Sequence, residues 1–143
     1  MAADYKGVCH PWLCDSMGHM TTRHYMAMFD DASYHFLNRV FGWSGTDSKN
    51  NNIGWADVKH TIEYLLEIRS GQLLDITGML TRVGGKSITV SYEMRESGSN
   101  KIVATLNSIS VLFDTEAREA ITLSDAMRIR ANESIKITEE ATK

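Results

Sequence analysis

Asp15 and His19 stand four residues apart in Cys14-Asp15-Ser16-Met17-Gly18-His19, a short polar segment that carries its own glycine. A carboxylate so placed can attack a carbonyl carbon, or take a proton from a water that attacks it. An imidazole beside it can orient the substrate or the water, or assist a leaving thiolate. A helical pattern begins directly afterwards, at Thr22. The start of a helix offers unpaired backbone N–H groups and a positive dipole end, both of which can receive an oxyanion. Together these parts suit acyl transfer to water. On spacing alone an Asp in such a turn more often serves as an Asx-turn or capping residue, and His19 can equally be a histidine satisfied within the turn.

Other candidates are weaker. Asp15, His19 and His24 lack the ligand spacing of zinc proteins, so neither metal nor cofactor is expected. Asp30-Asp31 falls within the helical pattern, on its solvated or subunit-facing side. Ser33 lacks the context of a nucleophile elbow. Cys9 and Cys14 are too few and too close for a disulfide framework, and each reads as a small buried apolar residue rather than a nucleophile. Met17, Met20, Met26 and Met28 suit adaptable packing, which a plastic acyl pocket would also use. Tyr25, Phe29, Trp12, Trp43 and Trp55 can line an aromatic pocket or fill the core.

The elements that must position these groups follow from periodicity. Tyr5 to Leu13 alternates weakly and predicts a first strand. From Thr22 to Phe41 the apolar residues Tyr25, Met28, Phe29, Ala32, Phe36 and Val40 recur at steps of three and four, as in an amphipathic helix. Thr21 or Thr22 can cap its start and Gly42 can end it. Met26, Ala27, Tyr34 and Leu37 add apolar surface off that stripe, so the helix is expected to be buried on several sides. Gly42 to Gly54, with Asn50-Asn51-Asn52, has no period and reads as a loop. Strands are then predicted over Asp57 to Ile68, Gln72 to Val83, Lys86 to Glu96 and Lys101 to Phe113. Leu74, Ile76 and Leu80 share one face, as do Ile88, Val90, Tyr92 and Met94. Gly84-Gly85 is a two-residue hairpin signal, not a phosphate loop. A short helix is expected near Ser124 to Arg130. This order is α+β: one long helix wrapped by a roughly five-stranded antiparallel sheet. The uncovered sheet face or edge strand predicts a homo-oligomer.

With 143 residues the chain fits one domain, residues 1–143, large enough for a core without staples. A net charge of −3 argues against nucleic-acid binding and against a basic membrane-facing surface. The first residues hold no apolar run of signal-peptide length, and no window is long enough to span a bilayer. A reduced, cytoplasmic enzyme is the expectation.

Asp15, Gly18 three residues on, Tyr25 seven beyond that, and Phe29-Asp30-Asp31-Ala32-Ser33 together resemble the 4-hydroxybenzoyl-CoA thioesterase family of hotdog enzymes. Glu63-Tyr64-Leu65, the Gly71 turn, Val83 to Ser87 and Ile121 to Arg128 extend the resemblance over nearly the whole chain. It implies hydrolysis of a small or medium acyl-CoA, with Asp15 as nucleophile or general base. It further implies an oxyanion donor at the backbone near Thr22, His19 in support, and Gly18 and Tyr25 at the substrate. Lys86 and Ser87 match a segment near CoA, and Arg82 adds a cation beside the same hairpin. The resemblance implies a dimer or tetramer. Thr21 departs from the Asn that many relatives carry there, which bears on acyl specificity. The competing readings are a hotdog hydratase or dehydratase and a non-catalytic acyl-CoA binder.

Overall fold

The computed structural model describes residues 2–46 and 52–141. The elements run β1 (Tyr5–Val8), a 3-10 turn (Pro11–Leu13), α1 (Thr22–Phe41), β2 (Ile53–Tyr64), β3 (Leu73–Val83), β4 (Ser87–Glu96), β5 (Ile102–Asp114), β6 (Glu119–Ala120) and α2 (Asp125–Ala141). The strands form one six-stranded sheet in the order β1-β3-β4-β5-β2, and β6 pairs with β5. β1 runs antiparallel to β3, with Tyr5 opposite Ile76 and Val8 opposite Leu73. No helix among the described residues is long and apolar enough to cross a membrane.

Several boundaries differ from the expected ones. β1 stops at Val8, because the chain turns into the 3-10 segment at Pro11, which has no N–H to give a ladder. β2 begins at Ile53 and ends at Tyr64, four residues earlier at each end than the pattern suggests. Asn50 and Asn51 of the expected loop lie outside the described residues. Gly84, Gly85 and Lys86 make a three-residue connection in place of a two-residue turn, closed by Gly84 N–H donating to Ser87 O at 2.7 Å. The sheet has a sixth short strand, and α2 spans 17 residues where only a short helix was expected.

The described chain falls into two compact units. The first comprises Met1–Phe36, Ile62–Gly78 and Tyr92–Leu106; the second comprises Leu37–Thr61, Met79–Ser91 and Asn107–Lys143. In the first, the predicted helix stripe is buried from Tyr25 through Phe36. Phe36 meets Tyr92 edge-on at 5.7 Å, and Phe29 lies 6.4 Å from the same ring. The β3 alternation Leu74, Ile76, Gly78 explains why glycine stands at the third position. A Cβ there would come within 2.6 Å of the Phe36 ring and 2.8 Å of Tyr92. The remaining apolar residues of the helix are not uniformly buried. Ala27 is exposed and Tyr34 is 56% exposed, so α1 buries one broad stripe rather than several sides.

In the second unit α1 ends as expected. Gly42 takes φ +67° and donates its N–H to Asn38 O at 2.8 Å, a conformation in which any Cβ would be strained. Asn38 in turn donates to Trp43 O, the Trp43 indole donates to Ile53 O, and Phe41 packs on Trp55 at 5.2 Å. Ser124 caps α2 by accepting from Met127 N–H. Arg128 reaches from α2 to the carbonyls of Gly84 and Gly85, at 3.0 and 3.2 Å.

Candidate active site

The segment from Asp15 to Thr22 is built by its own backbone. Gly18 N–H donates to Asp15 O at 3.0 Å, and Gly18 takes φ +82°, which L side chains rarely adopt. Asp15 N–H donates to His19 O at 2.8 Å, closing the turn. The Asp15 carboxylate then turns inward on this loop: Oδ1 accepts the N–H of Met17 at 2.9 Å and of His19 at 3.3 Å. This is the Asx-turn geometry that the spacing allowed, and it fixes the carboxylate in one orientation. Both bonds fall on the same oxygen.

Past the turn, residues 19–20 zip onto the segment following β2. His19 bridges Arg69, and Met20 N–H donates to Ile68 O at 2.7 Å. That pairing sets His19 beside Glu67, with Nε2 3.1 Å from the carboxylate. Thr21 N–H donates to Leu13 O, and α1 starts at Thr22. The first N–H groups of a helix have no carbonyl partner within it.

Beside these groups lies a cleft of about 250 Å³, lined by Met17, His19, Met20, Thr22, Tyr25 and the run Tyr64 to Glu67. Tyr25 and Tyr64 meet edge-on at 5.0 Å, and the Tyr25 hydroxyl donates to Leu66 O at 3.2 Å. Burial first, and then electrostatic coupling to Cys9 and Glu67, push the Tyr25 phenol above its ordinary value. The walls are mainly apolar and aromatic, with a carboxylate and an imidazole at the rim. Such a cleft can hold an acyl chain and present its carbonyl to polar groups.

The structure thus brings His19, Thr22 and Tyr25 to one cleft. Asp15 and Gly18 do not line it; they form the turn that delivers Met17 and His19 to it. Arg82 and Lys86 are exposed, and Ser87 is half-buried, around the β3–β4 connection of the second unit. Among the described residues no group of three His, Cys, Asp or Glu is placed to hold a metal ion. Among the cleft's lining residues, Tyr64, Leu65, Leu66 and Glu67 were not predicted as site residues from the sequence. The one available signal was the break in alternation at Tyr64-Leu65-Leu66, where three consecutive large apolar residues are each about half exposed (47%, 50% and 47%).

The sequence profile of the Thioesterase-like superfamily matches residues 9–131. Among curated proteins none matches significantly. Solved structures resemble the chain closely in fold at low identity. One is the hypothetical protein SAV2348 of Staphylococcus aureus, solved in complex with CoA: 14% identity, TM-score 0.83, covering 95% of this chain and 87% of that one. Another is the gentisyl-coenzyme A thioesterase BH1999: 16% identity, TM-score 0.77, covering 89% and 98%. A third is the 1,4-dihydroxy-2-naphthoyl-CoA thioesterase of Synechocystis: 15% identity, TM-score 0.77, covering 90% and 94%. At these identities the likeness speaks for the fold, which is the hotdog fold.

Proposed function

Because this chain belongs to the thioesterase-like superfamily, we propose that it hydrolyses a small or medium acyl-CoA thioester to the free acid and CoA at the cleft beside Asp15. The observation that carries this reading is the turn itself. One carboxylate is pinned by two N–H groups on Oδ1, and the same turn places His19 at the cleft where α1 begins. In this reading the acyl group lies along Tyr25, Tyr64, Leu65 and Leu66. The carbonyl oxygen accepts from the backbone near Thr22, whose donors face the developing negative charge. Asp15 either attacks the carbonyl, giving a mixed anhydride that water then cleaves to the free acid, or deprotonates the water that attacks; in both cases the thiolate of CoA departs and is protonated. Glu67 holds the His19 ring at the cleft wall, ready to orient water or the leaving sulfur.

Arg82, Lys86 and Ser87 are taken as CoA contacts, on the resemblance and on the exposure of the two cations. A homo-oligomer, dimer or tetramer, is supported by β2 at the end of the sheet order, which leaves Val58 60% exposed and runs into Tyr64, Leu65 and Leu66. Wrapping of α1 by the sheet, action as a single domain and a cytoplasmic location belong to the same reading. The two free thiols support the last.

A thiol-release screen across aliphatic, aromatic and amino-substituted acyl-CoAs tests the activity. Release of CoA from at least one member, lost in Asp15→Asn, is the expected result. Tight acyl-CoA binding with no thiol release from any member would replace the reading with that of a binder.

A further inference from the structure

Two thiols that this mechanism leaves unused lie against each other next to the proposed catalytic carboxylate. Cys9 Sγ and Cys14 Sγ are 3.6 Å apart, within the first unit. Cys9 is fully buried where β1 ends. Its backbone is held from both sides, donating to Gln72 O at 2.9 Å and accepting from Gly71 N–H at 2.7 Å. Cys14 is half-buried and covalently precedes Asp15. Its N–H donates to Pro11 O at 3.1 Å, and it forms an isolated bridge with Met20.

We propose that Cys9 and Cys14 form an oxidisable modification site, a dithiol that low-molecular-weight disulfides convert to an intramolecular disulfide, and that closing this bond displaces Asp15 and slows turnover. The covalent part stands on the sulfur geometry alone, while the effect on turnover rests on the role given to Asp15 above.

The order of events follows from access. Cys14, the more exposed sulfur, loses its proton to solvent base and attacks one sulfur of the small disulfide RSSR. The RSSR bond breaks, one RS⁻ leaves and is protonated, and a mixed disulfide remains on Cys14. Burial first, and then the neighbouring Cys14, push the Cys9 thiol up to about 12, so Cys9 does not start the exchange. It acts second: Cys9 gives up its proton, its sulfur attacks that of Cys14, and the second RS⁻ departs and is protonated. Two protein thiols and RSSR become one protein disulfide and two RSH, with nothing else consumed.

The structural consequence is local. A disulfide holds its sulfurs at about 2.0 Å, so they must close from 3.6 Å by roughly 1.5 Å. Cys9 is buried and clamped by its two β-type hydrogen bonds, so the movement falls on Cys14. The adjoining residue is Asp15, whose Oδ1 is held by the turn that Cys14 leads into. Misplacing a catalytic group by about 1 Å can cost up to roughly 10² in rate.

The test treats the reduced protein with excess oxidised glutathione, blocks remaining thiols with an alkylating agent, and reads intact mass beside turnover. The expected wild-type product is a single chain with no interchain cross-link, lighter by two hydrogens, unalkylated and free of glutathione. Its turnover is lowered at least about tenfold and is restored by dithiothreitol. Cys9→Ala should instead stop at a stable glutathione adduct on Cys14. Cys14→Ser should keep its buried Cys9 thiol and its turnover throughout. Two alkylatable cysteines in oxidised wild type, or a lasting glutathione adduct like that of Cys9→Ala, would overturn the pairing. A disulfide that forms without changing turnover would overturn the switch. A disulfide that forms in a protein inactive on every acyl-CoA would support the pairing and sink the functional reading instead.

Discussion

The turn at Asp15–Gly18 in the first unit and the connection at Gly84–Lys86 in the second are both short, glycine-bearing and exposed at their tips. They use their polar groups in opposite ways. Around Gly84 the carbonyls are committed to other elements: Gly84 O and Gly85 O accept from Arg128, Gly85 O from Leu123 N–H, and Lys86 O from Leu112 N–H. The result is a staple that ties α2 and β5 to the hairpin. Around Asp15 the acceptor is a side chain, both of its bonds fall on one oxygen, and the neighbouring residues Met17 and His19 line a cleft. The first arrangement serves stability. The second holds a carboxylate in one orientation and leaves its other oxygen outside these two bonds, which under the proposed function is what a preorganised site requires.

Substitutions at the two turns should separate these roles, and the largest effect is expected at Asp15. Asp15→Asn keeps an oxygen to accept from Met17 and His19, so the thermal midpoint should stay near that of the parent. Loss of the carboxylate should lower kcat by about 10²–10⁴. A folded variant turning over its best acyl-CoA at the parent rate would reduce Asp15 to a turn residue.

Arg128→Ala should do the reverse. Removing a charged donor from two carbonyls should cost about 1–2 kcal/mol in denaturant unfolding and leave kcat within about twofold. If kcat collapsed with stability unchanged, the contrast between the two turns would be misdrawn.

A smaller effect is expected for the exposed cations of the second region. Arg82→Gln and Lys86→Gln should each raise KM for acyl-CoA by about three- to tenfold, with little change in kcat. The difference from the parent should shrink as salt is added. Unchanged KM in both would move the phosphate contacts elsewhere, to Arg128 or Arg130.

The smallest change is expected at Glu67. This carboxylate is 70% exposed, so its pair with His19 is worth little in solvent, on the order of 0–1 kcal/mol. Glu67→Gln can still donate to or accept from the imidazole and should lose no more than about fivefold in kcat. Glu67→Ala should lose more than Glu67→Gln. Equal rates in both variants would show that Glu67 does not position His19.

Much of this molecule is set by short-range pattern and was legible in the chain. The stripe from Tyr25 to Val40 specifies one face of a helix because its period matches 3.6 residues per turn. Gly42 stops that helix because it takes a left-handed conformation. The alternation from Ile88 to Met94 puts one set of side chains inside, and all four are buried. The Asp15-to-Gly18 spacing specified a turn with an acidic side chain in it, since both partners of that turn lie within five residues. Periodicity could not say which segment would meet that turn. Glu67 reaches His19 only because residues 19–20 pair with 68–69, some fifty positions away in sequence. Likewise Gly78 is required by the Phe36 and Tyr92 rings that converge on it from distant parts of the chain. The approach of Cys9 to Cys14 depends on β1 stopping at Val8 and the 3-10 turn folding back. Contacts of this kind are decided by packing, because two segments that share no local pattern become neighbours only when a common core brings them together.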